Sequence, residues 1–372
     1  MEQIYLDYNA STPLDSEVVS AMLPYLTEHY GNPSTNHFAA IGAKKAIEHA
    51  RKQVSSLIHA KTAEIIFTSG GSESNNYVIK NVFETFQSKG NHIISSRIEH
   101  PAILKPLAFL EKKGVDVTYV GVDEYGQVSV EEIEKAIRPE TILISIMHAN
   151  NEVGTLQPIK EIGKLAKKHN ILFHTDAAQS VGKVPIDVEE LQVDFLSIAG
   201  HKLYAPKGVG ALYIRDGIDI GSFIHGAGHE QGRRAGTENV LLIVGLGQAC
   251  ELCEQKQAEN ERIKELCRYF WKQLQETFPN CVNLNGHPEE RLPNTLNVSF
   301  RSYIGQEILE QMPDVAASTG SACHSGVVTL SPVLQAMGVT AEEGKGTIRF
   351  SLGRMTTQEQ INQVIARLKR IL

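Results

Sequence analysis

The chain has 372 residues, 42% of them hydrophobic and 21% charged, with a formal net charge of -7 at pH 7. That length and balance suit two packed domains of an ordinary globular enzyme and offer no basic field for nucleic acid or anionic lipid, so no direct nucleic-acid or membrane partner is expected. The opening residues, MEQIYLDYNASTP, lack the charged and apolar regions of a signal peptide, the longest apolar stretch is too short to span a bilayer, and five unevenly spaced cysteines fit reduced thiols, so a cytoplasmic protein is expected.

In chain order, the runs AEIIFTSG, NHIISSRIEH, VDVTYVGVD, TILISIMHANN, ILFHTDAAQS, VDFLSIAGHK and GVGALYIRD read as strands. Helical patterns lie between them, as over Gln157 to His169, where Ile159, Ile162, Leu165 and Ala166 recur at helical spacing. Alternating strand and helix predict an α/β domain with a largely parallel sheet. After about Val240 one or two long helices with Glu and Lys on the outer face mark a change of texture, and TLNVSFRS, GTIRFSLGR and the closing helix TQEQINQVIARLKRIL predict a smaller α+β unit. The expected division is a large domain over 14–256 and a small one formed by 1–13 and 257–372.

Unusual polar residues fall where such strands end, the edge at which open parallel sheets bind ligands. TSGGSES places Gly70, Gly71 and Ser72 at the start of a helix, either as an anion cradle or as a helix cap. Asp176 and Gln179 end another strand, and a buried Asp there must be paired or must cap the next helix. His100 before Pro101 is equally readable as a turn residue. Lys202, in a glycine-bounded turn, shifts the balance, because a desolvated amine is the usual nucleophile toward a carbonyl. A Schiff-base lysine, a carboxylate for a pyridine nitrogen and a phosphate cradle together describe a pyridoxal 5'-phosphate (PLP) site.

With YLDYNASTP, GNPSTNHFAAIG, FTSGGSESNN, EHPAI, NNEVGTLQPI, HTDAAQSVGK, GHKLYAPKGVGALY, GAGHEQGRRAGTEN, TGSACHSG and IRFSLGR in this order, the chain resembles the cysteine desulfurases and selenocysteine lyases over nearly its whole length. The resemblance implies a fold-type I PLP enzyme of the class-V group, its large domain built on a mostly parallel seven-stranded sheet. Lys202 would carry the cofactor and exchange the substrate α-proton, Asp176 would hold the pyridine nitrogen, Gln179 would donate to the phenolate oxygen, and His100 would stack on the ring and take the thiol proton. Gly71, Ser72 and His201 would hold the phosphate together with Thr237 of a neighbouring subunit, which implies a homodimer. Asn151 and Arg349 would hold the substrate carboxylate, with no metal required.

Cys323, in a loop of small residues, would take sulfur from L-cysteine as a persulfide, release alanine, and pass the sulfur to an unidentified protein acceptor. Cys250 and Cys253 form a C-x-x-C on a predicted helix and read as packing residues. Three departures from the family pattern touch the phosphate turn: Ala199 stands where serine is common, Gly71 where alanine is, and Ser72 where threonine is. The alternatives are a lyase acting on L-selenocysteine, another class-V aminotransferase, and a non-catalytic scaffold.

Overall fold

The computed structural model describes residues 3–319 and 330–372 in full and, between them, the backbone of 321–324 and 327–329. After a short β1 (Ile4–Tyr5), the strands run β2 (Ile65–Thr68), β3 (His92–Ser96), β4 (Asp116–Val120), β5 (Thr141–Ser145), β6 (Leu172–Asp176), β7 (Phe195–Ala199) and β8 (Gly210–Ile214). These last seven form one sheet in the order β2-β8-β7-β6-β5-β3-β4. Only β8 runs against its neighbours in that sheet, pairing antiparallel with both β2 and β7. The seven strand runs of the sequence are therefore the seven strands of the sheet.

Both faces of the sheet are covered, which is why its strands are continuous apolar runs rather than alternating ones. Ile94, Ile144, Phe67 and Tyr213 point into one core with the helices Phe38–Leu57 and Val240–Gln255; their neighbours Ile93, Leu143, Ile66 and Leu212 point into the other with the helices Gly71–Phe86 and Pro101–Glu111. The period of two along each strand assigns adjacent residues to opposite faces.

A second antiparallel sheet joins β9 (Val282–Asn285), β10 (Thr295–Phe300), β12 (Ser318–Thr319) and β15 (Thr347–Ser351) in the order β12-β15-β10-β9. β11 (Val315–Ala316) pairs with β1, so the first residues of the chain join the last third, and Ile4 and Leu6 pack with Phe270, Val298, Phe350, Ile361 and Leu368. The hairpin β13 (Ser321–His324) and β14 (Val327–Leu330) follows β12. Sequence reading anticipated β10, β15 and the closing helix Gln358–Ile371 but not β9, β11, β12 or the hairpin, whose strands of two to four residues are too short to show a period. Among the described residues no helix is long and apolar enough to cross a membrane.

Candidate active site

A crevice of about 670 Å³ opens where the main sheet meets the second one. Its walls come from the loops after β2, β3, β5, β6 and β7, from the segments after β1 and before β8, and from β15. Of the residues singled out from the sequence, Gly71, Ser72, His100, Asn151, Asp176, Gln179, His201, Lys202 and Arg349 all face it, and Ala199 does too. Thr237 does not; it lies exposed between residue 232 and the helix Val240–Gln255. The side chain of Cys323 lies outside the described residues, and its backbone pairs with Val328.

Lys202 ends a single 3-10 turn, Gly200–Lys202, directly after β7, and its Nζ donates to the carbonyls of Asn9 (2.6 Å) and Ala10 (2.8 Å). Burial, helped by Arg349 and opposed by Asp7 and Asp176, pulls its pKa down to about 8. Asp176, the last residue of β6, is buried; it accepts from Asn75 Nδ2 (2.7 Å) and the Ala178 N–H (3.0 Å), and among the described residues no cation pairs with it. Two donors hold the carboxylate while leaving it room to accept a third. His100 caps the helix Pro101–Glu111 by accepting the Ala102 N–H at Nδ1 (3.1 Å), which assigns the proton of the neutral ring to Nε2. Desolvation lowers the imidazole's pKa, outweighing the attraction of Asp176, and Lys202 adds to the lowering.

The turn after β2 is built for close approach. Gly70 sits at φ 146° with open space where a Cβ would be, and the helix Gly71–Phe86 that follows has no side-chain cap. Among the described residues nothing accepts from the Gly71 or Ser72 N–H, so these donors of the first helical turn are free for an anion. A Cβ on Gly71 would stand 3.3 Å from the Cβ of Ala199. Gly71 and Ala199, two of the three positions that depart from the family pattern, are thus neighbours in space. His201, beside them, is pushed down to about 4, first by desolvation and then by Lys202 and Lys207.

Arg349 of β15 donates from Nη1 to the Asn151 carbonyl (3.0 Å) and from Nη2 to Asp7 Oδ1 (2.7 Å) and Ser318 Oγ (3.0 Å), while its Nε is buried without a partner. Asn9 ties the crevice together: its side chain donates to Asn151 O (3.2 Å) and Thr295 Oγ1 (2.8 Å), and its carbonyl accepts from both Lys202 and Gln179. Sequence reasoning missed Asp7, Asn9 and Asn75. YLDYN and SESNN stood inside the quoted motifs, but their polar side chains gain meaning only from partners distant in sequence.

The segment that carries Cys323 is anchored at this crevice on both sides. Before it, Ser318 pairs with Arg349 across the β12–β15 ladder and donates to Asp7 Oδ1 (2.9 Å). After it, Ser331 donates to the half-buried carboxyl of Glu152, whose neighbour is Asn151.

With this geometry in place, comparison with known proteins decides the family. The family described as Aminotransferase class-V matches residues 4–364. The chain is 50% identical over 373 residues to the cysteine desulfurase IscS of Dictyoglomus turgidum, covering 100% of this chain and 94% of the relative. The chain belongs to the cysteine desulfurases of the class-V aminotransferase family. Such an enzyme converts L-cysteine to L-alanine and mobilises the sulfur, and the relatives' names favour this activity over the selenocysteine lyase and aminotransferase alternatives. Among solved structures, a NifS-like protein superposes with a TM-score of 0.93 at 37% identity over 99% of both chains. SspA in complex with cysteine does so at 0.84 and 40% identity, over 95% of this chain and all of that one.

Proposed function

We propose that this desulfurase binds PLP in the 670 Å³ crevice and relays sulfur through Cys323. The observation that carries the reading is the convergence on one crevice of a depressed amine, a buried unpaired carboxylate and free backbone donors at a helix N-terminus. These donors fit the cofactor: Lys202 for its aldehyde, Asp176 for its pyridine nitrogen, Gln179 for its phenolate oxygen, and the Gly71 and Ser72 N–H groups with His201 for its phosphate. When bound, PLP supplies an electron sink for negative charge developing at the substrate's Cα and Cβ.

The chain's own residues do the rest. Arg349, with Asn151, binds the substrate carboxylate, and its unpartnered Nε is a donor left over after Asp7, Ser318 and Asn151 are served. Lys202 removes and returns protons at Cα; a pKa near 8 lets its free amine act as base close to neutral pH. His100, with Nδ1 tied to the Ala102 N–H, keeps Nε2 as its donor; it lines the crevice, where it would stack on the cofactor ring and take the substrate thiol proton. The Cys323 thiolate attacks the substrate sulfur, the S–Cβ bond breaks with its electron pair passing to carbon, and a proton completes the methyl group of alanine. Anchoring of the flanking Ser318 at Arg349 and of Ser331 at Glu152, next to Asn151, supports this reach.

The same reading takes the active protein as a cytoplasmic homodimer in which Thr237 of each chain completes the other's phosphate site. Its support is the exposure of Thr237 away from its own crevice and a run of exposed apolar side chains that includes Leu23, Leu26, Tyr30 (81%), Phe38 (88%) and Ile41. Division into a unit of 14–256 and one of 1–13 with 257–372 follows the packing of Ile4 and Leu6 against the last third. The IscS name of the relatives supports iron–sulfur cluster assembly as a destination for the sulfur, through an unidentified acceptor protein. The test is one reaction: purified protein with L-cysteine, scoring alanine and sulfide for wild type and Cys323→Ala. Alanine and sulfide from the wild type alone support the relay; equal turnover by the variant overturns it.

A further inference from the structure

Behind the crevice stands a lysine that none of these roles uses. After β6 the chain makes two consecutive turns, in which the Ala177 carbonyl accepts the Ser180 and Val181 N–H groups and the Ser180 carbonyl accepts those of Lys183 and Val184. Gly182 makes the second turn at φ 76°, and a Cβ there would stand 2.7 Å from Cys253 Sγ, so the chain passes the helix Val240–Gln255 at a distance only glycine allows. These turns stack positions 179 and 183, and Lys183 Nζ donates to Gln179 Oε1 at 2.9 Å.

Among the described residues no carboxylate lies within ion-pair distance of Lys183. The small cavity it lines is walled by Tyr8, Lys202, Tyr204, Cys253, Lys256 and Arg354, with no acid among its lining residues. Burial, then Lys202 and Arg349, push the amine down to about 7, with Cys253 opposing. A half-buried cation without a counter-ion is costly, so the position calls for a return elsewhere. In either protonation state the nitrogen keeps a hydrogen to donate to Gln179.

An amide can present its oxygen or its nitrogen to a ligand, and only its surroundings decide which. Here Oε1 is taken by Lys183, and Nε2 donates to the Asn9 carbonyl (3.0 Å), the same oxygen that receives Lys202 Nζ. We infer that Lys183 is a positioning residue that locks the Gln179 amide with its nitrogen toward the Lys202 side of the crevice, so that Gln179 meets the bound cofactor's phenolate oxygen as a donor. This rests on the reading of Gln179 given above.

The experiment uses full-length protein loaded with PLP and compares wild type, Lys183→Met, Lys183→Arg, Gln179→Leu and the Lys183→Met/Gln179→Leu double variant. Two quantities are read: the PLP dissociation constant and the pH midpoint of the cofactor's visible absorption band. Lys183→Met weakens PLP about tenfold, as expected for one lost hydrogen bond in a buried site, and raises the midpoint because the phenolate loses its donor. Lys183→Arg stays near wild type on both. Gln179→Leu shifts both quantities in the same direction, and in its background Lys183→Met changes nothing further. The inference is overturned if Lys183→Met has the same effect with and without Gln179, or none at all. If instead Gln179→Leu itself leaves both quantities unchanged, it is the assignment of Gln179 that fails.

Discussion

The phosphate turn and the Arg349 corner, both on the same crevice, are made in opposite ways. The turn after β2 is local: Gly70, Gly71 and Ser72 are consecutive, and what the last two offer is backbone N–H groups that have no internal acceptor among the described residues. The Arg349 corner is assembled from distant segments, with Asp7 342 residues away and Asn151 198 residues away, and its donors are largely engaged before any substrate arrives. A local anion cradle stands ready in the isolated motif, whereas a guanidinium fork aimed by three partners depends on the whole fold. Loss of affinity at the turn should therefore be graded, and loss of aim at the corner should appear in substrate handling.

The largest effect lies between the two regions, at the residue that both serve. Lys202→Ala lowers sulfide and alanine formation by about a thousandfold or more, because the proposed nucleophile and base are lost together. In the wild type, the rate at which apoprotein takes up PLP rises with pH to a plateau with a midpoint at about 8, since only the unprotonated amine captures the aldehyde and Lys202 is depressed to that value. A midpoint near that of an ordinary lysine contradicts the assignment. Next, Asp176→Ala strands the Asn75 and Ala178 donors and removes the carboxylate proposed to hold the pyridine nitrogen; turnover and PLP affinity, followed by absorbance titration, fall about a hundredfold.

At the Arg349 corner, Asp7→Asn removes the charged partner that aims the fork, and steady-state kinetics should show KM for L-cysteine rising about tenfold with a smaller change in kcat. A fall in kcat at constant KM would assign Asp7 to the chemistry instead. At the turn the effects are smallest. Ala199→Ser adds a hydroxyl beside the cradle and tightens PLP about fivefold, Gly71→Ala crowds the Ala199 Cβ and weakens it by a similar factor, and the pair is non-additive because the two positions touch. Strict additivity would show that the departures at Ala199 and Gly71 are independent.

The same contrast governs what the sequence discloses. Seven strands, the crossover helices and the crevice residues at strand ends are written in continuous apolar runs punctuated by Gly, Ser, Asp and Lys, a signal that lies within a few residues of each feature. Asp7, Asn9 and Lys183 are different: Asn9 is a plain polar residue until its carbonyl meets Lys202 and its side chain meets Thr295, 286 positions on. Lys183 reads as a solvated lysine until Gly182 brings it against Cys253. Thr237 and Cys323 were reached through resemblance alone, since nothing in GTEN or SACHSG by itself distinguishes a site from a loop.

The measurement that bears most directly on the sulfur relay is mass spectrometry of the intact cysteines after a single turnover with L-cysteine, reductant excluded. The account predicts one added sulfur atom on the peptide containing Cys323, with alanine formed in equal amount and Cys250, Cys253, Cys267 and Cys281 unmodified. Alanine formed with the added sulfur on another cysteine, or on none, would contradict it.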